Sequence, residues 1–428
     1  MTTKMRRILL QAILLVCLVL TILSHPLCER ACAGEIEVVG NDEEDNIEPL
    51  ITWLKQRNGA FSHKIEVRKI PAGSGSTRYG IFAKQDLVED EELVVIPREA
   101  MLTAERRRRS TTSSGLQASD TTVPLWCDTV RALSKEMKLG SESNYSAYVE
   151  YLNAQPFDQI PTSWSDKGKE LLLELLGQNQ QDKRLHFPPI DPVDFLEVEW
   201  EQFCKGSRDD MIERKAAILH QARGWDEFMV PVFDMMSHRN GPRWLNTKSN
   251  SVIRDLGSPS VNVTASRDIK AGEEIYNTYS HCIDCGNRKL NYGTPEILRD
   301  YGFVENYPQR WILTRTFRFE IDEVFEHDEA HSNNIEHPTG ALKIRWLSGG
   351  RPSNATMLVV HQHLERLRGA DTAGSLFRTL AASGVVPRNE LDMILGYRRA
   401  AIVALEHALD FLGFTVAREL APGIRIIQ

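Results

Sequence analysis

The chain of 428 residues is long enough for two or three domains and for a sizeable hydrophobic core. Its 42% hydrophobic and 26% charged residues are ordinary for a globular protein. Its formal net charge of -8 argues against the basic surface that a nucleic-acid partner requires, and an acidic protein instead attracts basic partners.

The first 33 residues have the layout of a secretory signal peptide. Lys4, Arg6 and Arg7 precede an apolar run at 8–23, and the residues at 31–33 offer an A-x-A-like cleavage site. The run of 16 residues is slightly short for a bilayer span, which favours cleavage over an uncleaved signal anchor. We therefore expect entry into the secretory pathway, to the endoplasmic reticulum lumen or beyond. The alternative is membrane attachment through residues 8–23.

Features downstream of the leader bear on the same compartment. Three glycosylation sequons begin at Asn144, Asn262 and Asn354. Such triplets arise often by chance, so they support secretion only weakly. Four of the seven cysteines also lie downstream: Cys127, Cys204, Cys282 and Cys285. Four are too few for a disulfide scaffold, so we expect the fold to rest on its hydrophobic core.

The pattern after the leader predicts one short helix and then a small sheet. A helix is predicted over residues 47–55, with Pro49 in its first turn, where its missing backbone N–H is tolerated. Strands are predicted by alternating or β-branched runs at 65–70, 79–83 and 92–96.

From Leu125 the hydrophobic period changes towards 3.6, which predicts helices. These cover residues 125–139, 145–152, 169–176 and 190–220. Strand patterns then return at residues 229–233, 261–266 and 275–279. A short helix at 295–301 ends before Gly302, a residue suited to a helix C-terminus.

The tail is predicted to be mostly helical. A strand at 310–320 precedes helices at 356–367, 373–383 and 389–412. Along the whole chain, helices and strands are segregated rather than alternating. The predicted fold class is therefore α+β.

Five segments resemble one known family and occur in its order. Residues 79–98 contain Y-G-I-F-A and E-E-L-V-V-I-P-R, and the helical stretch 133–164 begins with L-S-K-E. Residues 230–238 are V-P-V-F-D-M-M-S-H, residues 268–279 are D-I-K-A-G-E-E-I-Y-N-T-Y, and residues 298–304 are L-R-D-Y-G-F-V. Together they resemble the SET-domain methyltransferases of the Rubisco large-subunit methyltransferase-like family. The R-N-G that follows residue 238 is also similar to the animal actin-histidine methyltransferase.

The resemblance implies a β-rich SET core with a helical insertion and a mainly helical C-terminal substrate-binding-like domain. On this basis the SET domain is expected at 34–309, with the insertion at about 116–225, and the C-terminal domain at 310–428. The implied activity is transfer of methyl from S-adenosylmethionine to a lysine side-chain nitrogen of a protein or peptide substrate. A protein-histidine methyltransferase and a catalytically silent peptide-binding module remain the alternatives.

The resemblance also implies catalytic residues. Tyr279 ends the strand after the D-I-x-x-G-E-E turn, where the family's tyrosine hydroxyl aligns the acceptor nitrogen. Tyr301, from Y-G-F, is expected to line the channel that holds this nitrogen. Phe303 is expected to pack against the cofactor or the channel. Plain core packing is the alternative for Tyr279 and Phe303.

The implied donor site departs from the family pattern at two positions. Arg78-Tyr79-Gly80 stands where the family has G-x-G, so the first glycine is missing. Ser237-His238 stands where the family has N-H, and a hydroxyl replaces an amide.

Two further residues complete the expected donor site. Arg223 is expected to contact the donor's carboxylate. Asp234 is expected in the pocket wall, as a structural acceptor of hydrogen bonds.

One cysteine pair invites a metal-site interpretation. Cys282 and Cys285 form a C-x-x-C with His281 beside it, but no second pair of cysteines or histidines follows. A structural zinc site needs four such ligands. We therefore predict no metal site and expect a free or disulfide-paired loop.

Overall fold

The computed structural model describes residues 47–71, 77–104, 124–156, 158–177, 192–250, 258–279, 292–327, 336–370 and 375–414. The predicted leader and the residues 281–285 lie outside these ranges. No helix within them is long and apolar enough to cross a membrane.

Nine α-helices occur in the described residues, and the fold is α+β as predicted. They are α1 Glu48–Lys55, α2 Leu125–Leu139, α3 Ser146–Asn153, α4 Asp166–Leu176, α5 Met211–Arg223, α6 Thr294–Tyr301, α7 Asn354–Gly369, α8 Leu376–Ala382 and α9 Arg388–Phe411. A π-helix at Phe195–Phe203 precedes α5.

Thirteen strands occur in the same ranges. They are β1 Ala60–Phe61, β2 Ile65–Pro71, β3 Thr77–Ala83, β4 Glu92–Pro97, β5 Gly224–Trp225, β6 Phe228–Met229, β7 Ser237–His238, β8 Thr247–Ser249, β9 Ser260–Ala265, β10 Glu274–Asn277, β11 Gln309–Ile312, β12 Arg318–His327 and β13 Glu336–Trp346.

Two four-stranded sheets join parts of the chain that are distant in sequence. Their strand orders are β1-β4-β9-β8 and β2-β3-β10-β7. Each sheet therefore takes two strands from before the helical insertion and two from after it. All pairings in them are antiparallel except β7 with β10, which is parallel. This arrangement brings β3, β7 and β10 together, although β3 is far from the other two in sequence.

The described residues form two hydrophobic cores. The first joins the strands of the two sheets to α1, α2, α3 and α5. The second joins β11 and β12 to the C-terminal helices α7, α8 and α9. The helix α4 packs in the second core through residues such as Leu171 and Leu175, although it lies within the predicted insertion. Cores defined by packing thus cross the boundary that the sequence predicts at residue 309.

Several predicted elements are confirmed. The strands at 65–70, 79–83, 92–96 and 261–266 are present within one or two residues of their predicted bounds. The helix at 295–301 ends at Gly302, which adopts the left-handed conformation with φ of 73°. A Cβ at Gly302 would lie 2.0 Å from the carbonyl oxygen of Gln159, so only glycine allows this close approach.

Three predicted elements are wrong in detail. The helix predicted at 190–220 is instead the π-helix and α5, because Gly206 packs under the Trp200 ring and Asp210 caps α5. The strand predicted at 310–320 is two strands, β11 and β12, joined by a turn at Thr314–Phe317. Of the strand predicted at 229–233 only Met229 lies in a strand, since Val232 has a φ of 69°, outside the extended region, and a single turn of 3₁₀-helix begins at Phe233.

Candidate active site

Tyr279 follows β10, and both its side-chain hydroxyl and its backbone N–H donate hydrogen bonds. Its hydroxyl donates to the carbonyl oxygen of Met236 at 2.7 Å, and its backbone N–H donates to Nδ1 of His238 at 2.9 Å. Burial raises the pKa of this hydroxyl to about 12. The hydroxyl is therefore protonated at neutral pH. Because the hydroxyl proton is donated to the Met236 carbonyl, the lone pairs of the hydroxyl oxygen can accept a hydrogen bond from a ligand N–H.

Tyr301 and Phe303 close the space around Tyr279. The ring centroid of Tyr279 lies 4.6 Å from that of Tyr301 and 6.3 Å from that of Phe303. The turn at Gly302 places both of these side chains on the same side. The hydroxyl of Tyr301 is hydrogen-bonded to that of Tyr292, and burial raises its pKa well above the usual value. These three rings form the aromatic enclosure.

His238 connects the enclosure to a buried carboxylate. The Nε2 atom of His238 lies 2.7 Å from Oε1 of Glu305, and both side chains are only 1% exposed. Because Nδ1 accepts the N–H of Tyr279, the proton of the neutral ring is on Nε2 and is donated to Glu305. Glu305 also accepts hydrogen bonds from Asn240 at 2.8 Å and Thr294 at 2.5 Å.

The expected donor residues Arg78, Gly80 and Ser237 meet at the adjacent strands β3, β7 and β10. The guanidinium of Arg78 donates to the hydroxyl of Ser237 and to Oε1 of Glu274, the latter at 2.8 Å. A Cβ at Gly80 would lie 2.8 Å from Oε1 of Glu274 and 2.6 Å from Cδ1 of Ile70. Because Gly80 has no side chain, the carboxylate of Glu274 and the side chain of Ile70 can lie directly against the backbone of β3.

Tyr79, Arg223 and Asp234 lie together on the insertion side. Arg223 Nη1 donates to the hydroxyl of Tyr151 at 2.8 Å and to the carbonyl oxygen of Asp234 at 3.2 Å. Its Nη2 donates to Gln155 at 2.8 Å. The ring of Tyr79 lies 5.8 Å from that of Tyr151. Burial raises the pKa of Asp234 to about 6, although the nearby Arg223 lowers it.

Two buried atoms in this group have no hydrogen-bond partner among the described residues. They are Nε of Arg223 and Oδ1 of Asp234. An unsatisfied donor and an unsatisfied acceptor in one buried region are costly unless a ligand or water pairs with them. They fit a polar ligand with both hydrogen-bonding functions, such as the nucleoside and amino-acid parts of a sulfonium methyl donor.

A cleft of about 1610 Å³ opens beside the enclosure. Tyr279 and Tyr301 line it, together with Arg223 and Asp234. Its lining includes the acidic residues Asp194, Glu199, Asp226 and Glu227. It also includes residues of β11, β12 and β13, where Glu320 pairs with Arg310 and Arg345.

The described part of the chain brings all ten predicted site residues into one connected region. Sequence reasoning missed Glu274, Tyr292 and Glu305. The alternation of β10 places Glu274 and Tyr276 on one face, and Tyr276 donates to Glu274 at 2.8 Å. This two-residue alternation is the feature of the sequence from which Glu274 could have been predicted. For Glu305 the sequence shows only that it follows Y-G-F-V, and this position does not predict its hydrogen-bond partners.

Within the described residues, no group of three His, Cys, Asp or Glu side chains could hold a metal ion.

The chain is similar to several known proteins. The model of the SET domain matches residues 78–280. The chloroplastic [fructose-bisphosphate aldolase]-lysine N-methyltransferase of Arabidopsis thaliana is 24% identical over 333 residues, which are 72% of this chain and 62% of that protein. The N-lysine methyltransferase setd6 of Xenopus tropicalis is 22% identical over 284 residues, 61% of this chain and 57% of that protein. An uncharacterised protein of Schizosaccharomyces pombe is 21% identical over 311 residues, 67% of this chain and 61% of that protein.

The chain spans about three fifths of the length of the curated relatives it matches. Among solved structures, that of Rubisco LSMT bound to AdoMet aligns with 86% of this chain and 91% of its own, with a TM-score of 0.47 and 13% identity. The family match includes β3, β7 and β10 and ends one residue beyond Tyr279. Residues 78–280 of the chain therefore match the SET domain.

Proposed function

We propose that this chain is an S-adenosylmethionine-dependent protein-lysine N-methyltransferase. The observation that carries the proposal is the aromatic enclosure at the end of the SET-domain match, with the Tyr279 hydroxyl donating to the Met236 carbonyl. The names of the Arabidopsis and Xenopus relatives support a lysine acceptor, because both are lysine N-methyltransferases.

The chain's own residues would orient and desolvate the acceptor amine. The bound donor supplies an electrophilic methyl group on a sulfonium. The Tyr279 oxygen can accept an N–H of the amine and so direct its lone pair away from the ring. Burial among Tyr279, Tyr301 and Phe303 disfavours the charged form of a lysine, whose pKa in water is about 10.4. Such orientation, with exclusion of water, is what an in-line displacement requires from a protein.

The cleft supports a protein substrate. Its volume of about 1610 Å³ exceeds what a small-molecule ligand needs. Acidic residues outnumber basic ones in its lining by eight to six, and this excess, which includes Asp194, Glu199, Asp226 and Glu227, favours a segment with basic residues around the acceptor. We therefore propose a basic peptide segment, presented by a folded or unfolded protein, as the substrate class.

We also propose that the enzyme acts in the secretory pathway. The predicted leader at residues 1–33 motivates this proposal. The disulfide between Cys127 and Cys204 supports it, because disulfides persist in oxidising compartments and are rare in the cytosol. If the leader is not cleaved, residues 8–23 would anchor the chain in the membrane.

The test is methyl transfer by the purified chain without residues 1–33. Labelled donor and basic peptides or an extract of secretory proteins are the substrates, and acid hydrolysis identifies the methylated residue. We expect methyllysine. Methylhistidine would identify the histidine enzyme, and a chain that neither binds donor nor transfers methyl would be the silent binding module.

The Tyr279→Phe variant tests the catalytic role within the same assay. Loss of one oriented hydroxyl in the transition state should lower turnover on the order of a hundredfold. Donor affinity should change much less, because the ring keeps its place. Tyr397→Phe is the matched control, since this buried tyrosine lies in the second core. Equal turnover of wild type and Tyr279→Phe would refute the role of the hydroxyl.

A further inference from the structure

We propose that Arg78 and Glu274 bind the α-amino-acid end of the methyl donor, with Arg78 on its carboxylate and Glu274 on its ammonium group. We call this pair the zwitterion clamp. The inference rests on the proposed function, because it takes a sulfonium donor with an amino-acid end as the ligand.

In the structure the two side chains neutralise each other. Nη1 of Arg78 lies 2.8 Å from Oε1 of Glu274, and Nη2 lies 3.4 Å from Oε2. The Arg78 side chain is 43% exposed and that of Glu274 is 11% exposed. A partly exposed ion pair of this kind contributes little to stability. A zwitterionic ligand can therefore replace it at small cost, by supplying a carboxylate to Arg78 and an ammonium group to Glu274.

The surroundings of Glu274 permit this exchange. The hydroxyl of Ser237 donates to Oε1 at 2.5 Å, and the hydroxyl of Tyr276 donates to Oε2 at 2.8 Å. Both hydrogen bonds remain when Arg78 turns away. Glu274 is thus never left as a buried carboxylate without donors, a state that would be costly.

Arg78 is better suited to the carboxylate than Arg223. Three of the five N–H groups of Arg223 are already bonded, to Tyr151, Gln155 and the backbone of Asp234, which leaves Nε and one N–H of Nη2. A guanidinium binds a carboxylate best through two parallel N–H groups. Arg78 is 43% exposed and can turn such an edge towards a ligand once it leaves Glu274, whereas the guanidinium of Arg223 is held in one orientation by its three hydrogen bonds.

The clamp lies close to the reacting centre. The charges of Arg78 and Glu274 both act on the pKa of Tyr279, although burial is the larger influence. Ser237, to which Arg78 donates, directly precedes His238, whose ring centroid lies 5.0 Å from that of Tyr279. The two departures from the family pattern therefore act together. Arg78 binds the ligand carboxylate, and the Ser237 hydroxyl keeps a hydrogen bond to Glu274 when Arg78 turns away.

Calorimetry on the chain without residues 1–33 tests the clamp without any turnover. The ligands are S-adenosylhomocysteine, an analogue that lacks its carboxylate and an analogue that lacks its amino group. Arg78→Ala should weaken S-adenosylhomocysteine roughly 10- to 100-fold, the usual effect of a hydrogen-bonded charge, and should hardly affect the analogue without a carboxylate. Glu274→Gln should weaken the parent ligand but strengthen the analogue without an amino group, because Arg78 is released.

The control is Arg388→Ala, which removes an exposed arginine paired with Asp392 on α9. It should leave all three affinities unchanged, and thermal melts should show that every variant is folded. Two outcomes overturn the clamp while the proposed function stands: wild type and Arg78→Ala bind S-adenosylhomocysteine equally, or Arg78→Ala weakens all ligands by the same factor. If wild type binds none of the ligands, the proposed function itself fails.

Discussion

Glu305 holds the active-site tyrosine through an intermediate histidine. Its carboxylate accepts from His238, Asn240 and Thr294, and His238 in turn accepts the backbone N–H of Tyr279. Asn240 also accepts from Thr278, the residue before Tyr279. Both residues at the end of β10 are therefore fixed by partners of one buried carboxylate. Glu305 touches neither reacting group, so its role is positioning.

Two variants of Glu305 separate positioning from general stability. Glu305→Gln keeps an oxygen for His238 and Asn240 and turns its amide towards the Thr294 hydroxyl, so turnover should stay within a few-fold of wild type. Glu305→Leu removes the acceptors and should lower turnover about 10- to 100-fold, in line with a misplaced catalytic group. Donor affinity should change less in both.

The measurements are turnover, the KM for peptide and the affinity for S-adenosylhomocysteine, with thermal melts alongside. A purely structural role predicts that Glu305→Leu loses turnover only in proportion to the fraction unfolded. A folded Glu305→Leu variant with wild-type turnover would contradict the positioning role.

Among the individual site residues, the aromatic ones are predicted from the sequence better than the charged ones. Tyr279, Tyr301 and Phe303 lie at the ends of short patterned elements, so their neighbourhood follows from the family-like segments. Glu274 could not be assigned in the same way, because its partner Arg78 is 196 residues away. That contact depends on the pairing of β3 with β10, and a single sequence does not specify strand order.

Among the elements, a disulfide connects two helices of the insertion. Cys127 on α2 and Cys204 after the π-helix are both fully buried and 77 residues apart. The composition suggested that disulfides contribute little, and the core does carry the fold. The bridge nevertheless ties together the segments that place Trp126 and Phe195 beside the cleft.

Removal of this disulfide should lower the free energy of unfolding by about 2 to 4 kcal/mol, because a long loop in the unfolded chain is no longer closed. The comparison is urea unfolding of wild type and of the Cys127→Ala/Cys204→Ala variant. A reductant should shift the wild-type midpoint towards that of the variant and leave the variant unchanged. Coincident midpoints for all samples would show that the bridge contributes nothing.

The hairpin of β12 and β13 shows why some elements escape prediction. Leu342, Ile344 and Trp346 alternate as in a strand, but Pro338 and Gly340 interrupt the first half of β13. Both residues are unfavourable within a strand, so the pattern there is weak. The structure tolerates them because β13 is an edge strand, paired only with β12 among the described strands.

For the whole molecule, the secretory proposal predicts covalent modification. Asn144 and Asn354 have exposed side chains, and Asn262 is exposed on β9 but lies within a paired strand. We expect glycans at Asn144 or Asn354 rather than at Asn262. The full chain expressed in eukaryotic cells should shift to lower mass after glycosidase treatment, and a chain without residues 1–33 should show no shift.

Cell fractionation can refute the proposal that the protein enters the secretory pathway. A full-length protein recovered from the cytosol with residues 1–33 intact and without glycans would refute it. A membrane-bound, glycosylated protein that retains these residues would identify the uncleaved anchor instead.

The strand order has a consequence for how the chain folds during its synthesis. β4 ends at Pro97 and its partner β9 begins at Ser260, so the ribosome must add the whole insertion before that pair can form. At about 5 to 20 residues per second, the delay is roughly 10 to 30 s. β4 has unpaired backbone groups on that edge throughout this interval and would need a chaperone to cover them. Cys127 and Cys204 both emerge within it, so the insertion can be covalently closed before either large sheet is complete.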